Sequence, residues 1–81
     1  MNIKLEQTSF ACPEQYDLYI DDECLGYMRL RHGLFYATYR EKRVYTAFID
    51  DDAGIFLEEE REIHLPNAQN AILKAHEEYN K

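Results

Sequence analysis

The chain reads as an α+β fold, an antiparallel four- to five-stranded meander followed by one carboxy-terminal helix packed on a single face. Two observations predict it. Between Tyr16 and Ile49 apolar and polar residues alternate with a period of two, in short runs separated by turn residues, whereas beyond Gly54 the apolar spacing becomes helical. The 81 residues predict a single domain, 1–81, near the size at which one core just outweighs chain entropy.

The elements follow in order. Ile3 and Leu5 alternate with Lys4 and Glu6, which predicts a short half-buried or edge strand over 3–8, and Ser9 to Glu14, with Pro13, reads as a connector. Tyr16, Leu18 and Ile20 mark the next strand, closed by the acidic turn Asp21-Asp22-Glu23. A strand from Cys24 to Arg31 leads into His32-Gly33, a two-residue hairpin loop in which glycine supplies a positive φ without steric cost. Leu34 to Tyr39 is the following strand. With Glu41-Lys42 as the next loop, Arg43 to Ile49 completes the sheet.

Opposed residues of antiparallel strands share a face, so the loops sort the side chains. Leu30 is expected opposite Phe35, Met28 opposite Ala37, Gly26 opposite Tyr39, Ile20 opposite Cys24, Tyr39 opposite Val44, and Phe35 opposite Phe48. This places Tyr16, Leu18, Ile20, Met28, Leu30, Phe35, Val44 and Phe48 in the core, with Cys24 as a small inward residue. Tyr19, Tyr27, Arg29, Arg31, Tyr36, Thr38, Tyr45 and Ile49 are expected on the other side.

Glu58, Glu59, Glu60 and Glu62 crowd a first helical turn, where the helix dipole favours negative charge. Pro66 disfavours helical geometry at Leu65 and predicts a kink or break there. From Pro66 onward, Ala68, Ile72, Ala75 and Tyr79 form one stripe, opposed by Asn67, Asn70, Lys74 and Glu77, which directs this helix across the core face.

Two features point toward function. The segment from Cys24 to Ile49 carries Arg29, Arg31, Arg40, Lys42 and Arg43 against the single acid Glu41, inside a chain of net charge −7. Tyrosine and arginine combine contact area with hydrogen bonding and are enriched where proteins bind one another, so Tyr19, Tyr27, Arg29, Arg31, Tyr36 and Tyr45 are a candidate partner-binding face. The competing explanation is β-propensity, which places tyrosines on any half-exposed sheet, with Arg29 stacked on Tyr36. The second feature is the acidic block Asp50, Asp51, Asp52, Glu58, Glu59, Glu60 and Glu62, offset only by Arg61; it is suited to a basic groove that otherwise holds phosphates, or simply to solubility.

Other classes fit poorly. Counted from Asp50, the glycine of an EF-hand falls at Ile55 and its bidentate acid at Arg61, so both diagnostic positions fail. No nucleophile, base and acid set, no phosphate-cradling glycine loop and no helical metal pair is present. A zinc site from Cys12, Cys24 and two of His32, His64 and His76 lacks a close ligand pair, and the histidines read as surface residues. The chain is therefore expected to be non-enzymatic, without catalytic residues, metal or cofactor. Aromatic residues on a sheet beside cations are also how single-strand binders stack bases, yet a net acidic chain repels phosphates, which disfavours direct nucleic-acid binding. Met1 precedes an amphipathic strand rather than a basic stretch and apolar run, and the longest apolar run is far short of a bilayer span. Cytoplasmic placement with reduced thiols and no membrane contact is the expectation.

Leu5-Glu6-Gln7-Thr8-Ser9-Phe10 with Cys12-Pro13-Glu14-Gln15-Tyr16-Asp17, and Gly26-Tyr27 with Arg29-Leu30-Arg31-His32-Gly33, resemble a family of small bacterial proteins found in prophages and mobile elements. The likeness continues more weakly through Gly54-Ile55-Phe56 and Glu60-Arg61-Glu62. It implies context rather than activity. Small acidic proteins of mobile elements resemble, in size and charge, inhibitors of host defence such as anti-CRISPR proteins, which block a nucleic-acid site stoichiometrically. A protein partner, such as a nucleic-acid-handling effector, is thus expected, with a homodimer built from two tyrosine faces as the alternative.

Overall fold

The computed structural model describes residues 1–10, 13–50 and 54–81. Five strands, β1 (Ile3–Ser9), β2 (Glu14–Ile20), β3 (Glu23–Arg31), β4 (Leu34–Tyr39) and β5 (Lys42–Phe48), form one antiparallel meander in the order β1-β2-β3-β4-β5, and α1 (Glu58–Tyr79) packs on one face, mainly over β4 and β5. The amino-terminal segment is the fifth strand. Its entry is fastened where the Asn2 amide donates to Asp21 Oδ1 and the Asp21 amide donates to the Asn2 carbonyl, each at 2.8 Å.

Three two-residue turns set the meander. Asp21 and Asp22, His32 and Gly33, and Arg40 and Glu41 all take positive φ, from 49° to 80°, the type I′ geometry whose twist suits a hairpin. The β3–β4 register agrees with the expected one, with Leu30 opposite Phe35, Met28 opposite Ala37 and Gly26 opposite Tyr39. The other two hairpins differ, because each holds a shorter turn and an extra residue.

At the first, the turn is Asp21-Asp22 alone, so Ile20 meets Glu23, and a register shift after Leu18 places Cys24 opposite Tyr19. Cys24 is therefore exposed on the outer face rather than inward, and Leu25 is buried in its stead. At the second, the turn is Arg40-Glu41, so Tyr39 meets Lys42 rather than Val44, and a shift between Ala37 and Thr38 restores phase one residue later. The result inverts part of β5. Ala47, not Phe48, opposes Phe35; Phe48 is 71% exposed opposite Leu34, while Tyr45 and Ile49 pack toward the helix.

The core joins Tyr16, Leu18, Ile20, Leu25, Met28, Leu30, Phe35, Ala37 and Tyr39 of the sheet to Phe56, Ala68 and Ile72. Gly26 lets the layers meet, since a Cβ there would stand 2.9 Å from Leu18 Cβ and 3.0 Å from Ile72 Cδ1. Of the kink or break expected at Pro66, the break does not occur: α1 is one helix that contains Pro66. Proline removes one helical hydrogen bond at a cost of about 3 kcal/mol. Ala68 and Ile72 are buried after it and Leu65 packs on the core before it, and this burial on both sides keeps one helix favoured.

Candidate functional site

The two faces of the sheet hold different chemistry. On the helix side, Glu14 is 2% exposed, in phase with Tyr16, Leu18 and Ile20 at the start of β2 rather than in a connector. Arg61 clasps its carboxylate in two places, Nε to Oε2 at 2.9 Å and Nη2 to Oε1 at 3.0 Å. The Tyr16 hydroxyl donates to Oε2, and the Phe56 amide donates to Oε1 at 3.0 Å. Burial pushes the Glu14 carboxyl up, but these donors together outweigh it and hold the group below the ordinary value of 4.5. The same burial, with donation to a carboxylate, raises the Tyr16 hydroxyl to about 12. Because the Glu14 amide also donates to the Gly54 carbonyl at 2.8 Å, one acid fixes the entry of the helix onto the sheet. Every acceptor is occupied from within the chain, so this is an internal clasp.

Two histidines expected at the surface belong to the same layer. His64 Nδ1 lies 2.9 Å from the Tyr45 hydroxyl, and its ring stacks on Phe56 at 5.8 Å. His76 Nδ1 lies 2.7 Å from the Tyr39 hydroxyl. Tyr45 therefore leaves the candidate binding set: it sits under the helix, edge-on to Phe35 at 5.9 Å. His32 remains exposed at its hairpin tip.

The outer face is where the structure assembles the remaining tyrosines and arginines. Tyr36 is contacted by two cations from the flanking strands, Arg29 of β3 at 5.5 Å from the ring centre and Arg43 of β5 at 4.5 Å. Tyr27 lies beside it, ring centres 6.3 Å apart and tilted by 59°. Partial burial raises the Tyr27 hydroxyl pKa, so the ring is neutral near pH 7. Arg29 Nε is buried without a hydrogen-bond partner. Tyr19 is set apart toward the far edge, with Lys4 over its ring at 5.9 Å, and Arg31 is exposed near the tip with Nε 3.2 Å from His32 Nε2. Arg43 and Phe48 were not among the residues first named for this face; Arg43 has outward parity in either register, and the shift in β5 brings Phe48 out beside it. Partial burial, aided by the carboxylates of Asp17 and Glu6, pushes the Cys24 thiol up, which opposes a reactive thiolate.

Register fixes the layout. Glu6, Asp17, Tyr27, Thr38 and Arg43 stand in one row across all five strands, and Gln15, Arg29, Tyr36 and Thr46 in the next. Within these two rows the acids stand on β1 and β2 and the cations on β3 and β5, while Lys4 of β1 lies in the row of Tyr19. None of the described elements lies over this face, since α1 occupies the other.

The acidic set is not part of it. Glu58, Glu59 and Glu62 are exposed on the first turns of α1, and Glu60 accepts the Leu57 amide at 2.8 Å, so it caps the helix. Asp50 is exposed beyond β5, while Asp51 and Asp52 lie outside the described residues. The helix acids and the tyrosine–arginine cluster therefore belong to opposite layers and cannot meet one flat surface together.

Among the described residues, no three His, Cys, Asp or Glu side chains converge as metal ligands. A shallow cleft of about 320 Å³ lies between the β4–β5 hairpin and the end of α1, lined by Tyr39, Lys42, Val44, Ala75, Glu78 and Tyr79. Among the described residues, no helix is long and apolar enough to cross a membrane. No protein family, curated protein or solved structure matches the chain.

Proposed function

We propose that this chain is a small, non-enzymatic cytoplasmic docking protein that binds a protein partner stoichiometrically through the outer face of its sheet. In the mobile-element context its sequence resembles, it acts as an anti-CRISPR-like inhibitor of a host defence or nucleic-acid-handling complex. The observation that carries the docking role is the Tyr27, Arg29, Tyr36 and Arg43 cluster, preassembled on the face that the helix leaves open. Side chains already held by stacking lose less freedom on association than free ones, and tyrosine and arginine supply most of the energy at many interfaces. The exposed acids of α1 offer a second surface to a basic partner, on the opposite layer.

Affinity capture from a bacterial lysate tests this, with and without nuclease. The variant carrying Tyr27→Ala, Arg29→Ala and Tyr36→Ala is expected to fold and to lose the captured protein. Glu58→Lys, Glu59→Lys and Glu62→Lys together report on the helix surface, with Glu60 left intact because it caps the helix. Capture that ignores both sets defeats the proposal. Capture abolished by nuclease assigns the face to nucleic acid instead.

A further inference from the structure

The order of charges across the open face has a property that neither composition nor the tyrosine cluster shows. Read along one row from β1 to β5, it runs Glu6, Asp17, Tyr27, Thr38, Arg43: acids on two strands, a tyrosine on the central strand, a cation on the last. Rotation by a half-turn about an axis lying along β3 in the plane of contact lays a second copy face to face and exchanges β1 with β5 and β2 with β4. Glu6 then meets Arg43 of the other copy, and Tyr27 meets its own equivalent. Arg29, although on the axis strand, leans over Tyr36 of β4, so its charge is displaced toward the strand that β2 and Asp17 of the second copy would face. Glu6 is already 3.3 Å from Lys4, but an exposed pair of that kind contributes little and does not hold the acid from a better partner.

We infer that the face is self-complementary, and that in the absence of another partner a second copy of this chain occupies it through a two-fold contact. Two-fold contacts of this isologous kind are the commonest route to a homodimer, and sheets packed face to face keep their strands within about 30° of one another, which preserves the exchange of rows. Phe48, 71% exposed opposite Leu34, adds apolar area on the same face. The inference rests on the outer sheet face being an interface and names what fills it in the free protein; an external partner must then compete with self-association.

Sedimentation velocity on the full chain, from micromolar to millimolar concentration at low salt, is the test, with circular dichroism to verify that each variant folds. Wild type is expected to dimerise, less so as salt screens the charges. Glu6→Arg and Arg43→Glu are each expected to weaken self-association about tenfold or more, because each places like charges opposite one another twice. An equimolar mixture of the two restores the dimer as a heterodimer, since arginine at 6 of one chain then meets glutamate at 43 of the other. A wild type that stays monomeric throughout overturns the inference, as does a dimer indifferent to both substitutions or a mixture without recovery. If the wild type is monomeric while the Tyr27, Arg29 and Tyr36 variant still loses its captured protein, self-pairing fails and the docking role stands.

Discussion

Phe35 and Tyr36 are neighbours on β4, yet they live in different environments. Phe35 is fully buried among Tyr45, Phe56 and the helix, whereas Tyr36 stands half-buried between two guanidinium groups on an open surface. The helix side is closed chemically: its buried acid, both helix histidines and the tyrosines Tyr16, Tyr39 and Tyr45 have partners within the chain. The outer side holds charges and rings with no described element above them. With docking on the outer face, as proposed, stability and recognition would be divided between the two surfaces of one thin sheet.

The sharpest way to break this contrast is to truncate the two neighbours separately. Phe35→Ala is expected to cost about 3–5 kcal/mol, the range for a wholly buried aromatic, a large part of what an 81-residue domain has to lose. Tyr36→Ala should cost about 1 kcal/mol or less, while removing the central ring of the proposed docking surface. Urea unfolding of both, with capture or self-association of Tyr36→Ala alongside, reads the division directly. Equal destabilisation would mean that the outer face is structural as well.

Glu14 gives the next largest effect and a pH signature. Glu14→Ala leaves Arg61, Tyr16 and the Phe56 amide without their acceptor, at a cost of about 2–3 kcal/mol, short of the loss from a wholly buried pair because Arg61 is partly exposed and can rehydrate. The carboxyl titrates lower in the folded chain than in the unfolded one. Its contribution is therefore fully present above about pH 4.5 and is lost as pH falls below that through the folded value. Wild-type melting temperature should drop across that acidic window, and Glu14→Gln should flatten the drop. A variant whose acid profile matches wild type would show that Glu14 does not clasp the helix.

Much of this was legible in the residues, and the exceptions share a cause. Alternation of Tyr16, Leu18, Ile20 and of Met28, Leu30 and Phe35 reveals strands and core, because a pleated sheet imposes period two on anything with one dry side. The His32-Gly33 turn was readable because glycine announces positive φ. Asp21-Asp22 and Arg40-Glu41 adopt the same geometry without glycine, and each compensates with a one-residue shift that periodicity cannot show. That single residue moved Tyr45 and Ile49 under the helix and turned Phe48 outward. Glu14 was missed because an acid in phase with core residues looks like a strand boundary. The available signal was Arg61, the lone cation amid the helix acids.

The smallest expected effect bears on that same shift. Arg40 and Glu41 sit at φ of 49° and 69°, where a side chain crowds its own backbone, yet Arg40 has compensation: it lies 4.2 Å from the Tyr79 ring, and its Nε donates to the Tyr39 hydroxyl at 3.1 Å. Glu41 is exposed, and no described contact offsets its conformation in this way. Glu41→Gly removes the crowding at the cost of a more flexible unfolded chain, and the balance favours the variant by about 0.5–1 kcal/mol, a rise of a few degrees in melting temperature. The sign carries the information. If the turn were Glu41-Lys42 with Val44 opposite Tyr39, residue 41 would begin a different loop and β5 would present Tyr45 outward, so glycine at 41 combined with a neutral Tyr45→Phe would be unremarkable. In the observed register, Tyr45→Phe strips His64 of its hydroxyl partner and lowers the melting temperature, while Glu41→Gly raises it. Opposite signs from these two exposed-looking substitutions confirm that one residue of slippage decides which side of the sheet β5 serves.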